Sequence, residues 1–581
     1  MVVCTPRARL GSALLLASSL SLACTGEETP DAGPADSGVA DDAGETPDTG
    51  VDAGPPDSGV RTVCDDLGLP GLAMQAGDGT YDWGDVAGDF TVNTMDGPWT
   101  LSEQWTGCES YVFVNYIGTT SDYQDRFFSS SVTGLLFDTP LNAHYFFMSW
   151  ESDAAAREAR VKPLRDRILA NIFDRYPDDA TRLAQFRRFH FVTDRALDVA
   201  GSVGALLTDY MAYQRNPASR VDLGDRGMAP PPLPWMFAID RDQRWDFGGS
   251  VDEFVGGDPK LKMASYLPGF FDHKARIRDA QAAETGVQTE ILLDAPTSNR
   301  TFVRSAQLPS PSAMAAMDTL EFDVTVNCPH RNVFACSEWD RIADIELCLD
   351  GEACADRREL VRWITPYWRV GMRRWVMDAS DLLGFVRQGG LRWFQITMGP
   401  EWERATLRDV RVALRLASKG NGTRTSSVVE AFTGGDFNAT YNDRTPVTFT
   451  PPADATKVEL VVILSGHGQE AGNNCAEWCD HRHQFAVNGA ALPEIRYEGS
   501  VGSSGGCAPT TAQGLPPGQF GNWAPERAYW CPGLPVDHIR VDITDKVNLG
   551  QANTLEYSGN FEGGPPAGGN ISLTSYVVWA Q

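Results

Sequence analysis

Basic residues are scarce in this chain: 49 Lys and Arg stand against 77 Asp and Glu over 581 residues, a formal charge of -28. An acidic chain repels phosphates and lacks the positive footprint that nucleic acid needs, so that class of partner is excluded. Long apolar runs are lacking as well. Beyond the first two dozen residues none reaches 18, so no transmembrane helix is expected. Thr25 to Val60 contains no aromatic residue, no Lys and no Arg, but ten acidic residues among repeated Pro and Gly. Such a segment cannot bury enough apolar surface to overcome its ordering entropy, and residues 24–62 are expected to form a disordered, self-repelling tether.

What precedes the tether reads as a targeting segment. Arg7 and Arg9 stand before the apolar run Leu10 to Leu22, too short to span a bilayer and suited to a secretory leader over residues 1–23. The leader ends in "SLAC", and Cys24 after Ala23 resembles a lipoprotein lipobox, with Ser21 where Leu is usual. The expected location is therefore a bacterial cell envelope, lipid-anchored through Cys24, with plain secretion as the alternative. Ten cysteines remain after Cys4 and Cys24 are set aside, an even number for an oxidising compartment. Short spacings suggest the pairs Cys328–Cys336, Cys348–Cys354, Cys475–Cys479 and Cys507–Cys531, which leaves Cys64 with Cys108 by elimination. Zinc is the rival reading of close cysteines, but neither tight pair is a CxxC and no metal is expected.

Residues 63–282 alternate strand and helix signals: "SYVFVNYIG", "HYFFMSW", the charged helical stretch "AAAREARVKPLRDRILANIF", "RFHFVT" and "LPWMFAID". That order implies βαβ units around a mixed sheet. It resembles a thioredoxin or redoxin domain, with Pro234 where that fold places a cis-proline. The redox motif is missing, because Gly118-Thr119-Thr120-Ser121-Asp122 stands where Cys-x-x-Cys would be. No thiolate is available for exchange, so a structural or binding role is expected.

Beyond Thr285 the pattern changes to short runs of period-two alternation bounded by Gly, Pro and Asp, such as "TLEFDVTVNC", "DRIADIELCLD", "KVELVVILSG" and "ISLTSYVVWA". This argues for antiparallel sandwiches. Two are expected, at 285–418 and 427–581, joined through "SKGNGTRTSS". The fold class is thus multidomain, an α/β thioredoxin-like domain followed by two jelly-roll β-sandwiches.

Two stretches of these sandwiches carry chemistry. In "CSEWDRIAD" Trp339 and Glu338 neighbour Asp340, and burial against an indole or a second carboxylate raises a carboxyl group toward useful acid–base range. On a strand, Glu338 and Asp340 would point to the same side. Arg341 offers a planar fork for an oxygen substrate group or a carboxylate. In "CAEWC" a three-residue loop leaves little room to bury Glu477. Taken alone, "EWDR" reads as a strand laced with ion pairs. His481 and His483 in "DHRH" share one strand face, a spacing that copper enzymes use, but no complementary His and Met cluster accompanies them.

In order along the chain, "CSEWDRIAD", "ITPYW", "SGHG", "CAEWC" and "GNWAPERAYWCPG" resemble the peptide-N-glycosidase F family, over about half the length. The resemblance implies paired jelly rolls with the active site between them, no cofactor, and N-glycosylated proteins or peptides as substrate for a monomeric amidase. It implies Asp340 as the principal catalytic carboxylate, Glu477 as the second, acting with a bound water, and Arg341 and Arg527 lining the site. Glu338, Trp339, Trp478, Trp523 and His467 are the further substrate-binding candidates, the tryptophans as flat faces for sugar rings. His467 replaces a tryptophan of the family, and His483 matches one of its histidines. A further glutamate expected in the strand around "LRWFQITMG" is missing: Gln395, Ile396 and Thr397 occupy the positions, and Glu401 and Glu403 lie further on. A non-catalytic surface protein that binds glycan or protein, and a conventional glycosidase using two carboxylates, are the alternatives.

Overall fold

Among the described residues eight strands build the sheet of the N-terminal domain: β1 (Phe90–Thr94), β2 (Gly97–Thr100), β3 (Ser110–Tyr116), β4 (Ala143–Ser149), β5 (Phe189–Arg195), β6 (Met236–Ile239) and β7 (Trp245–Phe247), with the two-residue strand Ala200–Gly201 paired to β1 off the main path. Their order is β7-β6-β3-β4-β5-β1-β2. The trio β3, β4 and β5 is parallel, and β6 and β1 flank it antiparallel. All seven residues of β3 and of β4 are buried, as continuous apolar strands covered on both faces must be. Among the helices are α1 (Ala154–Arg175), whose Asp153 side chain caps its N-terminus, α2 (Ser202–Arg215) and α3 (Tyr266–Ala283). This is the expected α/β arrangement around a mixed sheet.

The computed structural model describes residues 62–580 apart from 119–121, 220, 223–226, 229–233, 253–256, 404–406, 421–423, 469–475, 498–500, 502–504 and 562–563. The leader, Cys24, nearly all of the tether and Cys475 lie outside the described residues, as does Leu233, where the bond into Pro234 begins. No cis peptide bond occurs among the described residues.

The first sandwich has eight strands: β8 (Gln288–Thr297), β9 (Thr301–Leu308), β10 (Thr319–Cys328), β11 (Ile342–Cys348), β12 (Arg357–Ile364), β13 (Gly371–Asp378), β14 (Gly390–Thr397) and β15 (Arg408–Ala417). They pair antiparallel as β8-β15-β10-β13 and β9-β14-β11-β12. The second sandwich repeats the plan with β16 (Thr425–Asp436), β17 (Val447–Phe449), β18 (Lys457–His467), β19 (His481–Val487), β20 (Ala490–Ala491), β21 (His538–Asp542), β22 (Asn553–Phe561) and β23 (Asn570–Ala580). Its sheets are β16-β23-β18-β21 and β17-β22-β19-β20. In both, the first strand pairs with the last and the second with the seventh, the order of a jelly roll. Alternating burial along β13 and β19 turns one face of each strand into the core.

Among the described residues, the pairs that the spacings suggest, Cys328–Cys336, Cys348–Cys354 and Cys507–Cys531, are disulfides, and so is Cys64–Cys108, the pair left by elimination. Cys479 is also disulfide-bonded.

The two sandwiches share a core. Val461, Ile463, Tyr576 and Val578 of the second join Trp363, Ile345 and Leu360 of the first in one apolar cluster. Across the same seam Arg362 forks onto Glu359 with two 2.7 Å bonds and donates to Ser465 Oγ at 2.8 Å and the Ser572 carbonyl at 2.7 Å. Thr574 donates to Glu359 Oε2 at 2.6 Å. Apolar burial supplies the driving force, and the satisfied ion pair sets the register of one sandwich on the other. Trp363 is fully buried at this junction. Trp363→Ala should lower the unfolding free energy by about 3–5 kcal/mol, measured by chemical denaturation of the whole chain.

Candidate active site

"EWDR" is not a strand. Residues 337–341 run as irregular backbone into β11, which begins only at Ile342, so strand alternation does not set the directions of Glu338 and Asp340. Side chains organise the segment instead. Thr365 Oγ donates to the Trp339 carbonyl at 2.8 Å and accepts from the Arg341 N–H at 2.8 Å. Glu403, with a side chain only 5% exposed, gathers the rest. Its Oε1 accepts from Ser337 Oγ (3.0 Å) and from the N–H groups of Glu338 (3.1 Å) and Trp339 (3.2 Å), while Oε2 takes Arg341 Nε at 2.7 Å. A carboxylate that accepts so many donors immobilises the loop that holds Asp340.

Glu477 reaches the site from the second sandwich and, contrary to the expectation from its short loop, is buried there. It lies in the turn before β19, which packs so tightly on β18 that a Cβ at Gly466 would sit 1.6 Å from the Ala476 carbonyl oxygen. Only glycine fits there. The Ala528 N–H donates to the Glu477 carbonyl at 2.9 Å, and Trp530 Nε1 donates to the Gly466 carbonyl at 2.7 Å. The segment ending at Cys531, tied to Cys507 by a disulfide, is thereby fastened beside the turn.

Arg527 joins the two acids. Its guanidinium is fully buried, with Nη2 3.4 Å from Asp340 Oδ2 and Nε 3.4 Å from Glu477 Oε1. These are charge contacts more than hydrogen bonds; the shorter bonds of the group go to the Pro525 carbonyl (2.8 Å) and the Tyr367 hydroxyl (3.0 Å). Tyr367 in turn donates to Asp340 Oδ2 at 2.6 Å. The rings of Trp478 and Trp530 lie 4.5 and 4.8 Å from the guanidinium carbon, a cation–π arrangement that is strong where water is excluded.

Burial pushes Asp340 above the usual carboxylate range, against the pull of Arg527 and the Tyr367 hydroxyl. Burial, and then the charge of Asp340, pushes Glu477 up to about 7, with Arg527 and the Gly468 N–H (3.1 Å) opposing. One cation faces two carboxyl groups, so ionising both leaves a net negative charge in a poorly hydrated place. A separate polar cavity of about 360 Å³ lies in the sandwich seam, lined by Ile342, Asp344, Glu346, Glu359 and Arg362 among others.

The other sequence-predicted residues divide. Trp339 is 40% exposed beside Arg341, and Trp478 is half-buried over Arg527. Trp523 is corrected: it is fully buried, edge-on to Tyr266 of α3 at 6.0 Å, and offers no face to a sugar. Its position is set by apolar packing that the neighbouring motif does not reveal. His467 stacks on Trp530 at 5.0 Å, bonds Ser465 Oγ at 2.8 Å, and is pushed down to about 3 by burial, then by Arg362 and Arg527. It is a neutral support behind Trp530. Glu338 is half-buried. His481 and His483 bond each other at 2.8 Å inside the second core, with His483 also on Tyr557.

Sequence reasoning missed Tyr367, Glu403 and Trp402. Tyr367 lay within the quoted "ITPYW". Glu403 was set aside for its distance from the expected strand. Trp402, 72% exposed and 4.7 Å from the Arg341 guanidinium carbon, adjoins it and completes an aromatic rim with Trp339.

Residues 436–578 match the family model described as "Peptide-N-glycosidase F, C terminal". Peptide-N(4)-(N-acetyl-beta-D-glucosaminyl)asparagine amidase F of Elizabethkingia miricola is 26% identical over 266 residues, which cover 42% of this chain and 69% of that protein. A crystal structure of a peptide-N(4)-(N-acetyl-beta-D-glucosaminyl)asparagine amidase superposes with a TM-score of 0.42 at 22% identity, covering 51% of this chain and 96% of the other. The PNGF-II structure gives 0.40 at 11% identity, with 53% and 67% covered.

The coupling of the two acids is directly measurable. Asp340→Asn removes the negative charge that holds Glu477 up, so the Glu477 midpoint should fall from about 7 toward the ordinary carboxylate range. Carbon-13 titration of the carboxyl groups reads this; an unmoved midpoint would show that the two do not interact.

Proposed function

We propose that this protein hydrolyses the amide bond between an N-glycan and its asparagine, in glycoproteins or glycopeptides, leaving aspartate and a glycosylamine. The observation that carries the reading is the meeting of Asp340 and Glu477, from different sandwiches, on the single buried guanidinium of Arg527. The match of residues 436–578 to the peptide-N-glycosidase F family model and the likeness to the amidase F of Elizabethkingia miricola support it.

A carboxylate of ordinary pKa takes a proton from water poorly, whereas one near 7 is matched to the task. Glu477 is therefore the base. It takes a proton from a substrate-side water as the water oxygen attacks the asparagine side-chain carbonyl carbon. Asp340, fixed by Tyr367 and Arg527, accepts the amide N–H and aligns the leaving nitrogen. As the C–N bond breaks, the proton on Glu477 passes to that nitrogen, so the elements of one water molecule are divided between the two products. Trp339, with Trp402, and the open side of Trp478 are suited to sugar rings, and Arg341 to a polar oxygen at the rim.

The N-terminal domain is read as thioredoxin-like without thiol chemistry. Residues 1–24 support display on the bacterial envelope through a lipid on Cys24, as part of the same proposal. The glycan-binding alternative has no advantage, because simple binding does not require two carboxyl groups raised by burial.

Whole protein incubated with an N-glycopeptide should release glycan and raise the peptide mass by the Asn-to-Asp increment. Asp340→Asn should cut kcat at least ~100-fold. The wild-type rate should climb with pH through about 7, because Glu477 must lose its proton to act. Absence of release, or a rate that falls through that range, overturns the reading or the assignment of the base respectively.

A further inference from the structure

The segments that hold Tyr367 and Arg527 have the sandwiches on one side and the N-terminal domain on the other. Trp523, Ala524, Leu515, Cys507 and Tyr367 share one apolar cluster with Phe270, Phe271 and Leu267 of α3. The Ser250 N–H donates to the Gly518 carbonyl at 2.7 Å, and Arg276 of α3 donates to the Ala512 carbonyl.

At the centre of this contact is Arg369, two residues beyond Tyr367 and 2% exposed. Its Nη2 donates to Asp246 Oδ1 of β7 at 2.8 Å, its Nε to the Pro517 carbonyl at 2.9 Å and its Nη1 to the Val370 carbonyl at 2.9 Å. Asp246 is itself buried, and Lys274 of α3 lies 3.7 Å from its other oxygen while pairing with Asp240 at 2.6 Å. One guanidinium thus fastens the turn after β12 and the 515–531 segment to the same N-terminal carboxylate.

That segment cradles Tyr367. Gln519 Oε1 accepts the Tyr367 N–H at 2.9 Å, while Gln519 Nε2 donates to the Pro516 and Pro532 carbonyls at 3.0 and 2.7 Å. A Cβ at Gly521 would stand 2.1 Å from the Tyr367 ring, so the backbone lies directly on it. The chain of contacts then ends at the hydroxyl that donates to Asp340.

We propose that the N-terminal domain forms the back wall of the two-carboxylate site, with Asp246 a positioning residue that acts on Asp340 through Arg369 and Tyr367. The consequence for turnover rests on the amidase reading; the positioning itself does not. A buried Arg–Asp pair broken on one side leaves an uncompensated charge, and a sub-ångström drift of the turn weakens the hydroxyl bond to Asp340. That bond favours the ionised carboxylate, so its loss moves the Asp340 titration upward.

The test compares Asp246→Asn with wild type in the whole chain, with circular dichroism confirming the fold. Arg369→Lys, which keeps the charge but cannot reach Asp246 and Pro517 together, is the second variant should the first fail to fold. Expected in either variant are a shift of the Asp340 carbon-13 titration to higher pH, faster hydrogen exchange in residues 365–370 and 515–531, and kcat on an N-glycopeptide lower by about ten- to a hundredfold with KM little changed. A folded variant whose Asp340 titration and exchange in those two segments match wild type overturns the proposal. If wild type releases no glycan, the amidase reading fails, and titration and exchange still decide the positioning role.

Discussion

A guanidinium with no access to water, placed between two carboxyl groups from different sandwiches, is the constraint around which the C-terminal half is arranged. An isolated buried cation costs several kcal/mol or more in lost hydration, and the cost is met only if countercharge and hydrogen bonds are supplied at fixed positions. Arg527 obtains countercharge from Asp340 and Glu477, carbonyl and hydroxyl oxygens from Pro525 and Tyr367, and π-faces from Trp478 and Trp530. Those groups come from four stretches of chain, around residues 340, 367, 477–478 and 525–530. The sandwich seam, the Cys507–Cys531 bridge and the bare backbone at Gly466 all bring those stretches together.

The same electrostatics gives the site its chemistry. A lone buried carboxylate beside an arginine would be held ionised and weakly basic. Burial raises both acids here, and because two of them share one cation neutralisation is incomplete, so Glu477 is lifted by burial and then by the charge of Asp340 to about 7. Structural burial and acid–base function therefore have one cause. Remote apolar packing, including the fully buried Trp523, contributes by excluding water from beneath the charges.

Local features were legible in the sequence and long-range ones were not. The alternation of "TLEFDVTVNC" and "KVELVVILSG" foretold strands that the jelly rolls contain, and loop spacing foretold the pairs Cys348–Cys354 and Cys328–Cys336. Composition distinguished the apolar parallel strands β3 and β4 from the alternating strands that follow. By contrast, "EWDR" continues an alternating run into β11 and so reads as a strand. What interrupts it is a set of bonds to Thr365 and Glu403, 24 to 66 residues away in sequence. Trp523 has the composition of a sugar platform, and only the neighbouring α3 removes it from the surface. Partners at that distance leave no periodic trace.

The apparent loss of a strand glutamate illustrates how position and role separate. Gln395, on β14, bonds Glu346 at 2.8 Å in the wall of the seam cavity, away from the Asp340 loop. A glutamate does meet that loop, but from the segment after β14 and in the form of Glu403, whose two oxygens serve Ser337, Glu338, Trp339 and Arg341 together. Glutamine could not replace it there, because an amide offers one accepting oxygen where the loop requires two, and its NH₂ would oppose the donor from Arg341. The chemical requirement is for a buried acceptor with both oxygens free and a full charge opposite Arg341. A segment eight residues downstream of Gln395 satisfies it as well as the strand would, since the turn carries the chain back across the loop.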